Sequence, residues 1–169
     1  MSGAIVMTPI VPAKFDEAAF WTEIAWEAEK ISKEMQRDFE KSVKYWKRKV
    51  VFERLVEVGP KNVTIFVGTD DEIYRYVDKG TKGPYPIRPK GPWLLRWRTG
   101  GQAKTTPGSL RSVNRGPAAG PWAAAKEVQH PGIKARGFSD LVEKKWRPII
   151  PKRMQKAIDR AARASGHGL

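Results

Sequence analysis

Cysteine is absent from this chain. That removes disulfides, thiolate metal sites and cysteine nucleophiles, and it suits folding in a reducing cytoplasm. Histidine is scarce: only His130 and His167 occur in 169 residues. One stands beside a proline in a turn and the other in the terminal tail. A Ser-His-acid set would need His130, and no GxSxG-like elbow accompanies it. The glycine-rich stretches at Gly100-Gly101 and Gly116 to Gly120 lack the GxxxxGKS/T and GxGxxG spacings that cradle phosphates. No apolar run reaches the roughly 18 residues of a membrane span. Acidic side chains are the minority charge, 18 against 32 basic ones. Their one cluster, Asp70, Asp71 and Glu72 with Asp78, has no partner at metal-ligand spacing. A helix N-cap with favourable dipole charges is a simpler account of it than a metal nuclease site. No catalytic residue, metal or cofactor is expected, and the chain does not read as an enzyme.

Against these absences stand seven tryptophans, 40% hydrophobic residues and a net charge of +14. The length fits about one domain, and the composition supports a packed core without metal or disulfide. The positive excess is local. Residues 75–115 carry 10 basic and 1 acidic side chains and residues 133–169 carry 10 and 3, whereas residues 51–74 carry 2 and 5. Such a local surplus attracts polyanions, with nucleic acid the usual candidate, or it serves only to keep a surface solvated. The first 15 residues are apolar but broken by Pro9 and Pro12 and have no basic lead. They read as an extended arm rather than a signal peptide.

From Asp16 to about Lys49 one long helix is predicted, with apolar positions every three or four residues from Phe20 to Val50. Asp16 is its N-cap, and Phe15 and Phe20 form a hydrophobic staple. Acids at its start (Glu17, Glu23, Glu27, Glu29) and bases at its end (Lys41, Lys44, Lys47, Arg48, Lys49) complement the helix dipole. The basic end could also contact DNA, but dipole complementarity explains it without a ligand and is preferred. Phe52 to Val58 and Val63 to Val67 are predicted strands joined by Gly59-Pro60-Lys61-Asn62. A short helix follows Asp70 to Glu72 and stops on Gly80. Pro84 to Lys90 must be extended, as an edge strand or crossing arm, since each proline disfavours helix before it and donates nothing to a ladder. Trp93 to Trp97 and Trp122 to Gln129 read as strands around a Gly/Pro-rich basic loop, 99–121. Ser139 to Trp146 is a short helix broken by Pro148 and Pro151. A last helix runs to about Ala164 with Met154, Ile158 and Ala161 on one side, before a frayed tail.

Aromatic and basic residues interleave at Trp93 to Arg98 and at Tyr74-Arg75-Tyr76. That pairing would suit stacking and phosphate contact. On a strand, alternation would instead send Trp93, Leu95 and Trp97 into the core and Leu94, Arg96 and Arg98 outward. The core reading is preferred. No zinc-finger, helix-turn-helix or RNP pattern is present. A non-specific cytoplasmic nucleic-acid-binding module is the alternative functional reading.

Two segments carry a resemblance. YRYVDKGTKGPYPIRPK, Tyr74 to Lys90, stops on a glycine and re-emerges extended, and HPGIKARGF, His130 to Phe138, turns tightly and returns basic. In this order and spacing they resemble the signature segments of the small tail-completion or head–tail joining proteins (gene-product-ten-like) of long-tailed bacteriophages. Relatives often have an acidic residue just before the Gly-Thr; here Asp78-Lys79 precedes Gly80-Thr81, a mild departure. The resemblance spans about residues 16–138. It implies an α+β domain with a long helix against a small antiparallel sheet or half-barrel; the N-terminal arm (1–15) and the basic helical extension (139–169), longer than in many relatives, lie outside what it covers. It further implies a virion protein at the head–tail junction, assembled in the bacterial cytoplasm as a homo-oligomeric ring, hexameric rather than dodecameric. Its partners would be portal or adaptor and tail-tube or tail-terminator proteins, with non-specific DNA in the channel and no membrane. Tyr76, Gly80, Thr81, Ile87, Pro89, His130, Pro131, Gly132 and Phe138 would shape the scaffold or its joint. Lys104, Arg111 and Arg115 would line the channel, or else belong to a solvated loop.

Overall fold

The computed structural model describes residues 16–59, 62–165 and 167. The apolar arm, Phe15 of the staple, Pro60 and Lys61 of the hairpin turn, and most of the tail lie outside the described residues.

The long helix α1 (Glu17–Val43) is capped by Asp16, whose carboxylate accepts from the Ala19 amide at 2.9 Å. Its buried side chains Ile24, Ala28, Ile31, Phe39 and Val43 follow the three-or-four spacing of the sequence. The helix ends six residues before the predicted Lys49. The Trp46 amide donates to the Val43 carbonyl at 2.8 Å, closing a turn, and the chain then runs back extended so that Val50 and Phe52 are buried near Phe39. Two effects favour the early stop. Lys41, Lys44, Lys47 and Arg48 would repel one another at helical i,i+3 and i,i+4 spacing. Burial of Val50 and Phe52 on α1 also outweighs a propensity worth tenths of a kcal/mol per residue.

Strands β1 (Glu53–Val58) and β2 (Val63–Gly68) form the expected antiparallel hairpin, with Glu53 opposite Gly68 and Val58 opposite Val63. One face packs on α1, while the paired Leu55 and Phe66 point outward, 51% and 56% exposed. Helix α2 (Glu72–Lys79) starts at Asp71, which accepts from the Tyr74 amide at 2.8 Å. Two further ribbons complete the β structure: β3 (Tyr85–Ile87) pairs with β6 (Val128–His130), and β4 (Leu95–Arg98) with β5 (Trp122–Ala125). The single strand expected over 122–129 is thus two strands, each with its own partner. The small antiparallel sheet is three separate two-stranded ribbons.

Helices α3 (Phe138–Trp146) and α4 (Ile149–Ala164) pack on α1. Pro151 falls in the first turn of α4, where its missing amide hydrogen costs nothing. Its inward face is Ala157 and Ala161, both fully buried, with Met154. Ile158 is exposed, one position off the predicted stripe. Residues 139–169, set apart above as an extension, supply Val142 and Trp146 to the main core. That core centres on aromatic rings. Phe52 meets Phe39 at 5.4 Å and Tyr74 edge-on at 5.2 Å, and Tyr74 lies 5.7 Å from Phe138. Among the described residues no helix is long and apolar enough to cross a membrane.

Candidate functional site

The two signature segments, about fifty residues apart, meet backbone to backbone. The Thr81 amide donates to the Ile133 carbonyl at 2.9 Å, and the Ile133 amide donates back to the Thr81 carbonyl at 3.2 Å and to its hydroxyl at 2.9 Å. Both glycines at the crossing are required. Gly80 has φ 77° and a Cβ there would stand 2.6 Å from the Ile133 carbonyl oxygen; Gly132 has φ 88° and a Cβ would stand 2.5 Å from that of Thr81. Just before the crossing, the Asp78 carbonyl accepts from the Arg136 and Gly137 amides at 3.1 and 3.0 Å. The buried Asp78 carboxylate accepts from the Ser139 amide at 3.1 Å and hydroxyl at 2.7 Å. The N-terminus of α3 is therefore capped from α2, because its own N-cap position is Gly137 and has no side chain. Phe138, 0% exposed, drives the end of this clasp into the core.

His130 belongs to the same clasp. Its ring stacks on Tyr85 at 4.9 Å across the β3–β6 pair, and its Nδ1 accepts from the Gly132 amide at 3.0 Å. That bond shapes the Pro131-Gly132 turn. The structure thus brings together Gly80, Thr81, His130, Pro131, Gly132 and Phe138. Ile87 and Pro89 lie on and after β3 at its rim, and Tyr76 stands outward on α2, 44% exposed, under the Arg75 guanidinium.

The three loop cations are not brought together. Lys104 turns inward and donates to the Tyr45 carbonyl just past α1 at 2.7 Å. Arg115 reaches the Gln102 side chain, and Arg111 is exposed. The loop itself is docked rather than free. Ser112 Oγ donates to the Lys41 carbonyl at 2.9 Å, Gly108 to the Arg136 carbonyl at 3.1 Å, and Leu110 packs on the core.

Beyond the clasp, the β4–β5 ribbon has, among the described residues, no substantial contact with any other helix or strand. Trp93 is 78% exposed, Trp122 61% and Trp97 38%, so the core placement expected for Trp93 and Trp97 is overturned. Alternation does separate two faces, with Leu95 and Trp97 on one and Arg96 and Arg98 on the other, but among the described residues no further layer covers the first. The guanidiniums of Arg98 and Arg96 lie 5.2 and 5.8 Å from the Trp122 ring.

The acidic cluster is split: Asp70, Asp71 and Glu72 stay together and Asp78 does not join them. Asp71 caps α2 and pairs with Arg48 at 2.8 Å, and Asp78 faces α3. No group of three or more metal-binding side chains is assembled among the described residues. The acids of α1, read above as dipole complements, mostly have arginine partners. Glu27 and Glu34 accept from Arg153, and Glu27 and Glu23 from Arg160, at 2.7 to 3.4 Å. Glu29 pairs with Arg54 at 3.1 Å. These pairs were not legible in advance, since nothing in the chain tells which acid of α1 faces α4. No family model, curated protein or solved structure matches the chain.

Proposed function

We propose that this chain is a structural protein of a tailed-bacteriophage virion that joins head to tail as a ring around the DNA path. The observation that carries the reading is the clasp: the segments bearing the resemblance are one interlocked unit whose glycines, threonine and buried Phe138 are each required by its geometry.

The surface agrees with an assembly role. Large apolar side chains are uncovered at several places, among them Leu55 with Phe66 on the outer face of the β1–β2 hairpin, and Trp97 and Trp122 on opposite faces of the β4–β5 ribbon with Trp93 just before it. Such patches mark interaction surfaces. Unlike patches suit a head-to-tail contact, and a head-to-tail contact that closes makes a ring. Portal or adaptor and tail-side proteins would meet the two ends of that ring.

The test is assembly. In an infection lacking this chain, filled heads and tails should accumulate unjoined, and adding the purified protein to the lysate should restore whole particles. Whole particles at normal yield without the chain would overturn the reading.

A further inference from the structure

The end of α1 carries a feature that the helix does not account for. A cleft of about 540 Å³ there is lined by Arg37, Lys41, Lys44, Lys47, Arg48 and Lys49, with Glu40 as its one acid. Dipole complementarity explains cations in the last helical turn, and the effect fades beyond it. Only Lys41 occupies that turn and Lys44 is the C-cap, whereas Lys47, Arg48 and Lys49 lie past the helix end. Capping does not explain the rest either. The Lys41 and Tyr45 carbonyls at this end already accept from Ser112 and Lys104 of the long loop. Arg48 is paired with Asp71 and Lys41 with Asp38. The side chains of Arg37, Lys47 and Lys49 make no hydrogen bond or ion pair among the described residues, and that of Lys44 only approaches the Tyr45 ring, at 5.4 Å. All four are exposed.

We infer that this cleft binds the phosphodiester backbone of nucleic acid without reading its sequence. Cations gathered around a concave, protein-walled site focus their field on a polyanion. Lysine suits the role, being a phosphate-binding point charge that is depleted from the cores of protein–protein interfaces. No base-reading element accompanies the cleft, and its floor of Val43, Trp46 and Val50 belongs to the core or packs against it. An adjoining acidic cleft, lined by Asp70, Asp71 and Glu72 and sharing Arg48 and Lys49, bounds the site on one side. The inference does not rest on the head–tail reading, and it moves the nucleic-acid contact from Lys104, Arg111 and Arg115 to the end of α1.

The test is the binding of a fluorescent duplex DNA by the full chain, followed from 50 to about 200 mM salt. Lys44→Ala/Lys47→Ala/Lys49→Ala should weaken binding at low salt at least about tenfold and reduce the slope of log K against log salt by roughly two to three. Lys152→Ala/Lys156→Ala/Arg163→Ala removes the same charge from exposed positions on α4 and should leave the slope unchanged. Circular dichroism of both variants should match the parent. Equal loss in both would mean diffuse attraction and overturn the site. So would no binding by the parent chain at low salt. Tighter binding of poly-glutamate than of the duplex would overturn it in favour of an acidic protein partner.

Discussion

Two cationic regions of this molecule have opposite uses. On α4, Arg153 and Arg160 turn toward α1 and grip Glu23, Glu27 and Glu34, with the Glu27 side chain only 8% exposed. Past the end of α1, Lys44, Lys47 and Lys49 are exposed and make no hydrogen bond or ion pair among the described residues, Lys44 only approaching the Tyr45 ring. The chemistry of the two side chains fits the division. A guanidinium holds a carboxylate with two directed bonds and can bridge two acids, whereas an ammonium is a strongly hydrated point charge. The difference teaches that regional net charge indicates a ligand only after internal partners are discounted. Part of the C-terminal excess faces the acids of α1, and Lys145 with it, since that lysine and the Trp146 indole both donate to the buried Asp38.

The sharpest way to break this comparison is Glu27→Ala. It leaves two guanidiniums at the α1–α4 interface without their shared carboxylate. Because both arginines are partly exposed, the expected loss is about 2–3 kcal/mol, toward the lower end for a broken buried pair. Urea unfolding would show it as a lower midpoint at unchanged slope. An unchanged midpoint would mean that the arginines are as solvent-directed as the lysines.

Acid gives the next effect. Burial works to raise the Glu27 carboxyl, but hydrogen bonds and charge from Arg153 and Arg160 outweigh it and hold the pKa below the ordinary 4.5. At Asp38, burial is likewise outweighed by hydrogen bonds from Lys145, Lys41 and Trp146, below the ordinary 3.8. Groups depressed in the folded state contribute stability that is fully present above their unfolded values and is lost as pH falls through the folded ones. Stability should therefore hold from neutral pH down to about pH 5, then fall steadily below the ordinary carboxyl values. Glu27→Gln with Asp38→Asn should be weaker at neutral pH and flatter in acid. A parent curve already flat in acid would show that these pairs contribute little.

Elements were legible where local chemistry dictated them. The Asp16 cap, the periodicity of α1, the hairpin alternation, the Gly80 stop and Pro151 at the start of α4 are all local signals. Trp93 and Trp97 were misplaced because alternation separates two faces but cannot say whether another layer covers either. The end of α1 was misjudged because Trp46 and Val50 continue the helical spacing of Val43, which the burial of Val50 and Phe52 in the core overrides. Of the candidate site, the glycines and Thr81 could be read from the chain. The capping of α3 by Asp78 and the inward turn of Lys104 could not, since each joins residues more than fifty positions apart.

Smaller effects are expected on the outward side. Trp93→Ser with Trp122→Ser should change the stability of the isolated chain by no more than about 0.5 kcal/mol per site, since neither ring is buried. In the assembly assay the same variant should fail to join heads to tails. A large loss of stability would mean that the ribbon is part of the core.

The smallest change in stability belongs to Lys44→Ala/Lys47→Ala/Lys49→Ala. Removing crowded like charges should leave the unfolding midpoint equal to the parent's or a few tenths of a kcal/mol above it. A clear destabilisation would place these lysines among the internal contacts, beside Arg153 and Arg160.

The head–tail role is tested most directly by counting this chain in purified particles with isotope-labelled reference peptides. The account predicts a fixed complement matching a single hexameric or dodecameric ring. Particles that are complete and infectious with none of this chain, or with a copy number that no closed ring can supply, would contradict it.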